Sequence, residues 1–432
     1  MGKSSVVYVI GLSMMIAIAM ININKDSSSS MDTYTSYYGH TVAHNIALAG
    51  ANIATQLIMR TPTYSGDLLN QTFNGGHFDV RITSIAGNGK RVTSTSWVTV
   101  SGATVRDSVI ADLRYTPFWK YGWFTESEIN GYKKPDGSNG PFFGANDWKI
   151  TGDSVFGYAH TNNRFNLAGR PYFNDKVTAT KAPTLMTYLG QKDPIYNAGY
   201  EWGVTVNRPV SNMTNLEGEA QSAGALVDLN KDVALTFYPD GRVNVKIPPT
   251  TGATRNDTVS MNVLAPTGVF AVKNGDLRLT GTYKGQVTVV ALRGSQSNKG
   301  NIWIDGEGIK AASDPSLNSN STDMMGIVAD RMAYITRNDT KGPGSITTIH
   351  GAVYCQNGEL TAEDFWAIGK HGRVSLTGSL VQKTAGSLGV FDSGGLKNGM
   401  YYSVRHDPRF LLGGPPSFPM SDKYELVSWW EN

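Results

Sequence analysis

Four aspartates and three histidines are the residues whose types suggest chemistry. Asp323, Asp330, Asp339 and Asp392 fall in the C-terminal part of the chain. Paired carboxylates can share acid–base work on a glycosidic bond or hold calcium. None of the four shows the DxDxDG spacing of a calcium loop, and capping turns is the commoner use of aspartate. His160, His350 and His371 form no HExxH or HxH pair, so each reads as a surface or satisfied core histidine. His160 opens the run His-Thr-Asn-Asn and is placed to build a polar ladder with Asn162 and Asn163. Cys355 is the only cysteine; with no activating partner nearby it reads as a small buried hydrophobe. No GxSxG elbow, phosphate loop or dinucleotide fingerprint is present. The expectation is a protein with no catalytic residue, no cofactor and no metal, and so not an enzyme.

Aromatic side chains gather at Tyr115, Phe118, Trp119, Tyr121, Trp123 and Phe124. Such a cluster plugs a core or offers a platform for sugar rings or a partner subunit. Tyr115, Phe118, Trp119 and Trp123 are the candidate contact aromatics.

The elements that would position these groups are mainly β. Glycine is abundant at 48 residues and charged residues make up only 17%, which suits short strands joined by turns. The near balance of 38 basic and 35 acidic residues argues against a nucleic-acid binder. A loose hexamer of alternating polar and apolar residues ending in glycine recurs, ending at Gly102, Gly152, Gly169, Gly281, Gly306 and Gly378. The alternation buries one face, and the glycine permits a corner. This pattern predicts a right-handed β-solenoid (β-helix-like) body; a β-sandwich is the alternative. The expected organisation is a small β-rich layer over 61–145, a solenoid-like body over 146–396 and a capping tail over 397–432. The body is interrupted by an insertion at about 181–260, with Ala182–Leu189 helical.

The N-terminus sets the compartment. An uncharged apolar run from Val6 to Ile23 includes Val7, Ile10, Leu12, Ile16 and Ile21. As a helix it measures about 27 Å, near the thickness of the bilayer hydrocarbon. It reads as a membrane anchor over 1–24. A signal peptide cut near Ala17-Ile18-Ala19 and a core helix are the alternatives. The first two export the remainder of the chain. Past a polar break at Lys25–Ser30, a second helix is expected over 31–60, stopped by Pro62. Its apolar face runs through Tyr38, Val42, Ile46, Ala49, Ile53 and Leu57, beside a stripe of Ala43, Ala47, Gly50 and Ala54. Val42, Ile46, Ala49, Ile53 and Leu57 are the candidate assembly residues, against the simpler reading that the helix packs on its own body.

An apolar N-terminal helix, an alanine-rich helix and a β-rich body resemble the layout of type IV minor pilins and pseudopilins with a PilX-like N-terminal region. The segment Tyr38–Ala54 carries that likeness. It implies prepilin-type processing after Gly2 with Lys3 as the new start, although the family's glutamate at the fifth mature position is Val7 here. The later chain resembles the exported bacterial DUF4900 group, through Gly157–Asn163, Gly326–Asp330, Gly389–Gly395, Arg405–Arg409 with Pro415 and Pro416, and Ser428–Glu431. These resemblances imply a body in the periplasm or outside the cell, at the cell surface or in a pilus-like filament. They also imply protein subunits of a filament, secretion apparatus or adhesion surface as partners, with surface polysaccharide a further candidate. An exported carbohydrate-active β-solenoid enzyme or carbohydrate-binding protein is the alternative.

Overall fold

The computed structural model describes residues 3–85, 89–206, 208, 213–248, 255–337, 342–411 and 413–431. The chain is mainly β with one long N-terminal helix, and it divides into two compact units. One comprises Met1–Thr116 with Asp422–Asn432; the other is Pro117–Ser421.

In the first unit, α1 (Lys3–Arg60) is a single helix of 58 residues. The expected break does not occur. Lys25–Ser30 contains no glycine or proline, so nothing interrupts the backbone ladder, and serine costs only about 0.5 kcal/mol per residue against alanine. Thr33 Oγ1 bonds the Ser29 carbonyl at 2.8 Å and keeps its hydroxyl inside the helix surface. The helix ends at Arg60, ahead of Pro62, as expected.

α1 packs on a sheet of β1 (Leu68–Phe73), β2 (Gly76–Ile85), β3 (Gly89–Val100), β4 (Ala103–Pro117) and the strand Met420–Glu431, in that order, with β1 to β4 pairing antiparallel. The helix face against the sheet is Gly39, Ala43, Ile46, Ala47, Gly50, Ala51, Ala54 and Ile58. Small residues there allow close approach: a Cβ on Gly50 would lie 2.5 Å from Ser94 Oγ and 2.7 Å from the Phe78 ring. Ser96 Oγ donates to the Ala43 carbonyl at 2.6 Å and fixes the helix against β3.

The second unit is a set of parallel ladders. Val289, Ile327, Val353, Leu380, Trp123, Ala159, Val177 and Tyr200 stand in register on successive strands. All but Tyr200 are buried, so each rung sets an apolar side chain on the one beneath. A second ladder passes through Leu277, Ile302, Ala333 and Leu360, all fully buried. A sandwich would be built of antiparallel ladders; among the described residues this unit pairs antiparallel only at Val233–Phe237 with Arg242–Ile247, at Arg242–Ile247 with Arg255–Ser260, and at Gly389–Asp392 with Gly395–His406, apart from isolated bridges.

The chain order of the rungs differs from expectation. The strand Tyr121–Ser127 pairs on one side with Tyr158–Thr161 and on the other with the C-terminal half of Lys370–Thr384. Gly395–His406 lies likewise between the N-terminal half of Lys370–Thr384 and Ser154–Phe156. The ladder is thus spliced from two runs of chain. One runs from Tyr121 to an end at Trp202; the other begins at Leu226 and returns to the splice.

Residues 181–260 are therefore not an insertion, because they supply both terminal rungs. Ala182–Leu189 is not helical: Thr184–Met186 pairs in parallel with Asn166–Ala168. The expected cap over 397–432 is corrected as well. Lys397–His406 is an interior rung and Asp422–Glu431 belongs to the sheet under α1. The expected layer over 61–145 ends at Thr116, since Tyr121–Ser127 is already ladder.

Some hexamer glycines turn corners inside continuous strands instead of ending them. Gly378 pairs with Gly351, and a Cβ there would sit 1.8 Å from the Gly351 carbonyl oxygen. The copy ending at Gly102 lies elsewhere, in the hairpin between β3 and β4.

Candidate functional site

Two regions stand out by exposure or burial that their residue types make costly. They are the surface of α1 and a charged cluster inside the second unit. On α1, Val6, Val7, Ile10, Leu12, Ile16 and Ile21 are all exposed, in a stretch whose mean hydropathy reaches 2.3. The helix is long and apolar enough to cross a membrane. Gly2 lies outside the described residues, and of Lys3 only the helical backbone is described.

Further along, the sheet takes the small-residue stripe and with it Ile46, so one of the five candidate assembly residues is buried within its own unit. Ile53 is exposed and Val42, Ala49 and Leu57 are half-buried. Tyr38, Val42, Ala49 and Ile53 fall along one flank beside the buried face, with Met31 and Tyr34 bare above them. The apolar surface of α1 is wider than its own sheet covers.

The aspartates named from sequence do structural work. Asp323 is buried and accepts the backbone N–H of Gly285 at 2.7 Å and of Ser313 at 3.0 Å. Asp330 accepts Arg293 N–H and the Asn357 amide, and Asp392 caps a turn at Gly394. Asp339 lies outside the described residues. His160 is buried, contacts Thr178 Oγ1 through Nδ1 at 2.7 Å and Asn162 Oδ1 through Nε2 at 2.9 Å, and is held below its ordinary pKa by burial. The polar ladder is therefore real, with Thr178 as a member where Asn163 was expected. His350 accepts the Ala311 N–H and is likewise lowered by burial. His371 is buried. Burial pushes the Cys355 thiol far up, which makes it unreactive. Among the described residues no three His, Cys, Asp or Glu side chains are placed to hold a metal.

The candidate contact aromatics are not a platform. Phe118, Trp119 and Trp123 are buried, and Trp119 donates its Nε1–H to the Phe410 carbonyl at 2.5 Å. Tyr115 stacks on Tyr424 with centroids 4.3 Å apart. Rings this large contribute most when removed from water, and here a core claims them.

The charged cluster has no counterpart among the residues singled out from sequence. Lys149 is 2% exposed and bonds Asp147 Oδ2, with Glu128 Oε2 at 3.9 Å. Its ammonium lies over the Trp123 ring at 4.2 Å and near Tyr402 at 5.3 Å. Asp147 also accepts Ser387 Oγ at 2.6 Å. Asp153 accepts the N–H groups of Ile150 and Tyr402, both at 2.8 Å. Glu359 accepts Gly131 N–H and Thr384 Oγ1. Burial raises the Glu128 carboxyl, Asp153 to about 6 and Glu359 to about 8. Asp147 and Asp153 border a cavity of about 280 Å³ whose other walls include Phe142, Trp148, Phe365 and Phe391. Every oxygen of those two carboxylates is engaged by a donor of the chain itself. The signal available in the sequence was the hexamer Asp147–Gly152, whose polar positions were assigned to solvent.

No family model matches the chain, and no curated protein does, so the DUF4900 resemblance has no support at family level. Among solved structures the chain is similar to the competence-associated pilin ComZ from Thermus thermophilus, with 11% identity and a TM-score of 0.35. The match covers 90% of this chain and 96% of that one, and at that TM-score it carries no argument.

Proposed function

We propose that the chain is a membrane-anchored, exported structural protein of pilin-like design, which joins a filament or envelope assembly through α1. The observation that carries this reading is the division of labour along one unbroken helix. Its first third is bare and apolar, and its last third is fixed to a sheet by small residues. An apolar flank through Val42, Ala49 and Ile53 remains open. A bilayer suits the first segment and neighbouring helices suit the flank, since apolar surface of this extent is rarely left in water.

In this reading the second unit is a right-handed β-solenoid. Parallel, in-register ladders support it, and right-handed crossovers are the general rule for parallel strands. Its role is structural, since both carboxylates that border its cavity, Asp147 and Asp153, are occupied by the chain's own donors.

Fractionation with protease protection tests the anchor. The full chain is expected in membranes, with residues beyond α1 degraded only by protease added on the outer side. A body protected inside the cytosol would sink the proposal. Mass spectrometry of the native N-terminus tests processing: a start at Lys3 supports the pilin-like route, and a start just past Ala19 removes the anchor.

A further inference from the structure

Glu128 and Lys149 come from separate stretches of chain held side by side. Asp147 N–H donates to the Glu128 carbonyl at 2.9 Å, and the Asn166 side-chain amide bridges the carbonyls of Glu128 and Asp147 at 3.3 and 3.0 Å. Both side chains are all but sealed from solvent, at 1% and 2% exposure. Thr125 Oγ1 holds Glu128 Oε1, while Oε2 has no hydrogen-bond partner and faces Lys149 Nζ at 3.9 Å. Trp123 and Tyr402 wall the ammonium, and Asp147 accepts its proton side.

We propose that Lys149 and Glu128 are joined by an intramolecular isopeptide bond, formed autocatalytically with Asp147 as the proton carrier. Nζ attacks the Glu128 carboxyl carbon, forming a C–N bond. The bond from that carbon to one oxygen breaks, and the oxygen leaves as water. Asp147 relays two protons from Nζ in turn: one neutralises the Glu128 carboxylate and frees the amine before attack, and the second passes to the departing oxygen, which leaves as water. One ammonium and one carboxylate become one amide and one water, so no oxidant, reductant or activating group is required.

The setting favours the step in three ways. Two buried opposite charges are expensive to keep dry, and an amide removes both. The reacting groups are already held in place, which replaces a bimolecular encounter. Burial also raises the Glu128 carboxyl toward its neutral, electrophilic form. Burial opposes the Lys149 ammonium, but Asp147 and Glu128 outweigh it and leave the group above its ordinary value. The attacking amine therefore arises by proton transfer within the cluster and not by loss to solvent. The bond would lock the 128–149 loop at the splice of the ladder, in a chain whose single buried cysteine offers no disulfide.

The test is peptide mapping of the full chain extracted from membranes in detergent, denatured and cut with trypsin. Cleavage after Lys120, Lys133 and Arg164 gives 121–133 and 134–164. The expected result is a single species of these two peptides, lighter than their sum by one water and uncut at Lys149. Free 121–133 together with ordinary cleavage after Lys149 overturns the proposal, as does a bond from Lys149 to Asp147, which leaves 121–133 free. In Glu128→Gln the leaving group is ammonia, so the joined species must have the same mass as in the native chain; any other mass overturns the assignment to this carbonyl. In Lys149→Arg, 121–133 is expected free, and its persistence in a joined species overturns the role of Lys149.

Discussion

The interface beneath α1 and the interior at the ladder splice are both tightly packed, but they are made specific by opposite means. Beneath α1, most helix side chains are reduced to hydrogen or methyl so that backbone approaches the sheet, and the hydroxyl of Ser96 is matched to a helix carbonyl. At the splice, Lys149 and four carboxyl groups are buried together and matched to one another and to backbone N–H groups. A steric interface tolerates any pH and fails by a single methyl group too many. A charged interior tolerates some change of shape and fails when one partner is lost or a proton count changes.

This contrast can be broken most forcefully at Lys149. Lys149→Met removes the buried amine, and with it either the cation of the cluster or the proposed amide, and should destabilise the second unit by about 3–5 kcal/mol. Chemical denaturation followed by tryptophan fluorescence would show it, and an unchanged midpoint would mean that neither charge nor a cross-link at Lys149 holds the cluster. Next in size is Gly50→Val, which drives methyl groups into Ser94 and Phe78 and should cost about 1–3 kcal/mol. If Gly50→Val were neutral in thermal melts, the close approach of α1 to β3 would be wrong.

A smaller effect follows from protons. Glu359 rises from 4.5 to about 8 on folding, chiefly through burial, so the folded state binds a proton that the unfolded state releases. Its contribution is fully present below pH 4.5 and is lost as the pH rises through about 8. The melting temperature of the second unit should therefore fall across that window. Glu359→Gln should remove the part of the fall between about pH 6 and 8, leaving the part below about 6 that Asp153 contributes; an undiminished fall above 6 would assign it to another group. The smallest expected effect on stability is Ile53→Ser on the open flank of α1, within about 0.5 kcal/mol. The same substitution should abolish incorporation into sheared filaments or envelope complexes, and normal incorporation would remove this flank from the assembly surface.

Legibility in the sequence followed the distance over which each signal acts. The apolar run Val6–Ile23 and the stop before Pro62 are local and could be read directly. The hairpin ending at Gly102 is also local, yet its hexamer looked like those of the body. The splice had no local signal, because Trp123 pairs with Leu380 and neither residue marks the other. The stretch 181–260 was misread because its terminal rungs are short and half-exposed, which resembles an inserted domain. Asp147 and Lys149 were missed because alternation assigns polar positions to water. Alternation holds only where one face of a strand is open, and here the successive residues Lys149 and Ile150 are both buried, with Trp123 and Tyr402 against the ammonium.

The placement of Gly395–His406 and Met420–Glu431 has a consequence for biogenesis. A ribosome releases the rungs from Tyr121 to Trp202 well before Lys370–Thr384 and Gly395–His406, against which two of them rest. The hydrogen-bonding edge of β4 waits longer still. Each unit thus stays unfinished until residues 370–431 have emerged. A truncation ahead of Gly395 would consequently leave both units without a strand, and the nascent edges call for a holding chaperone.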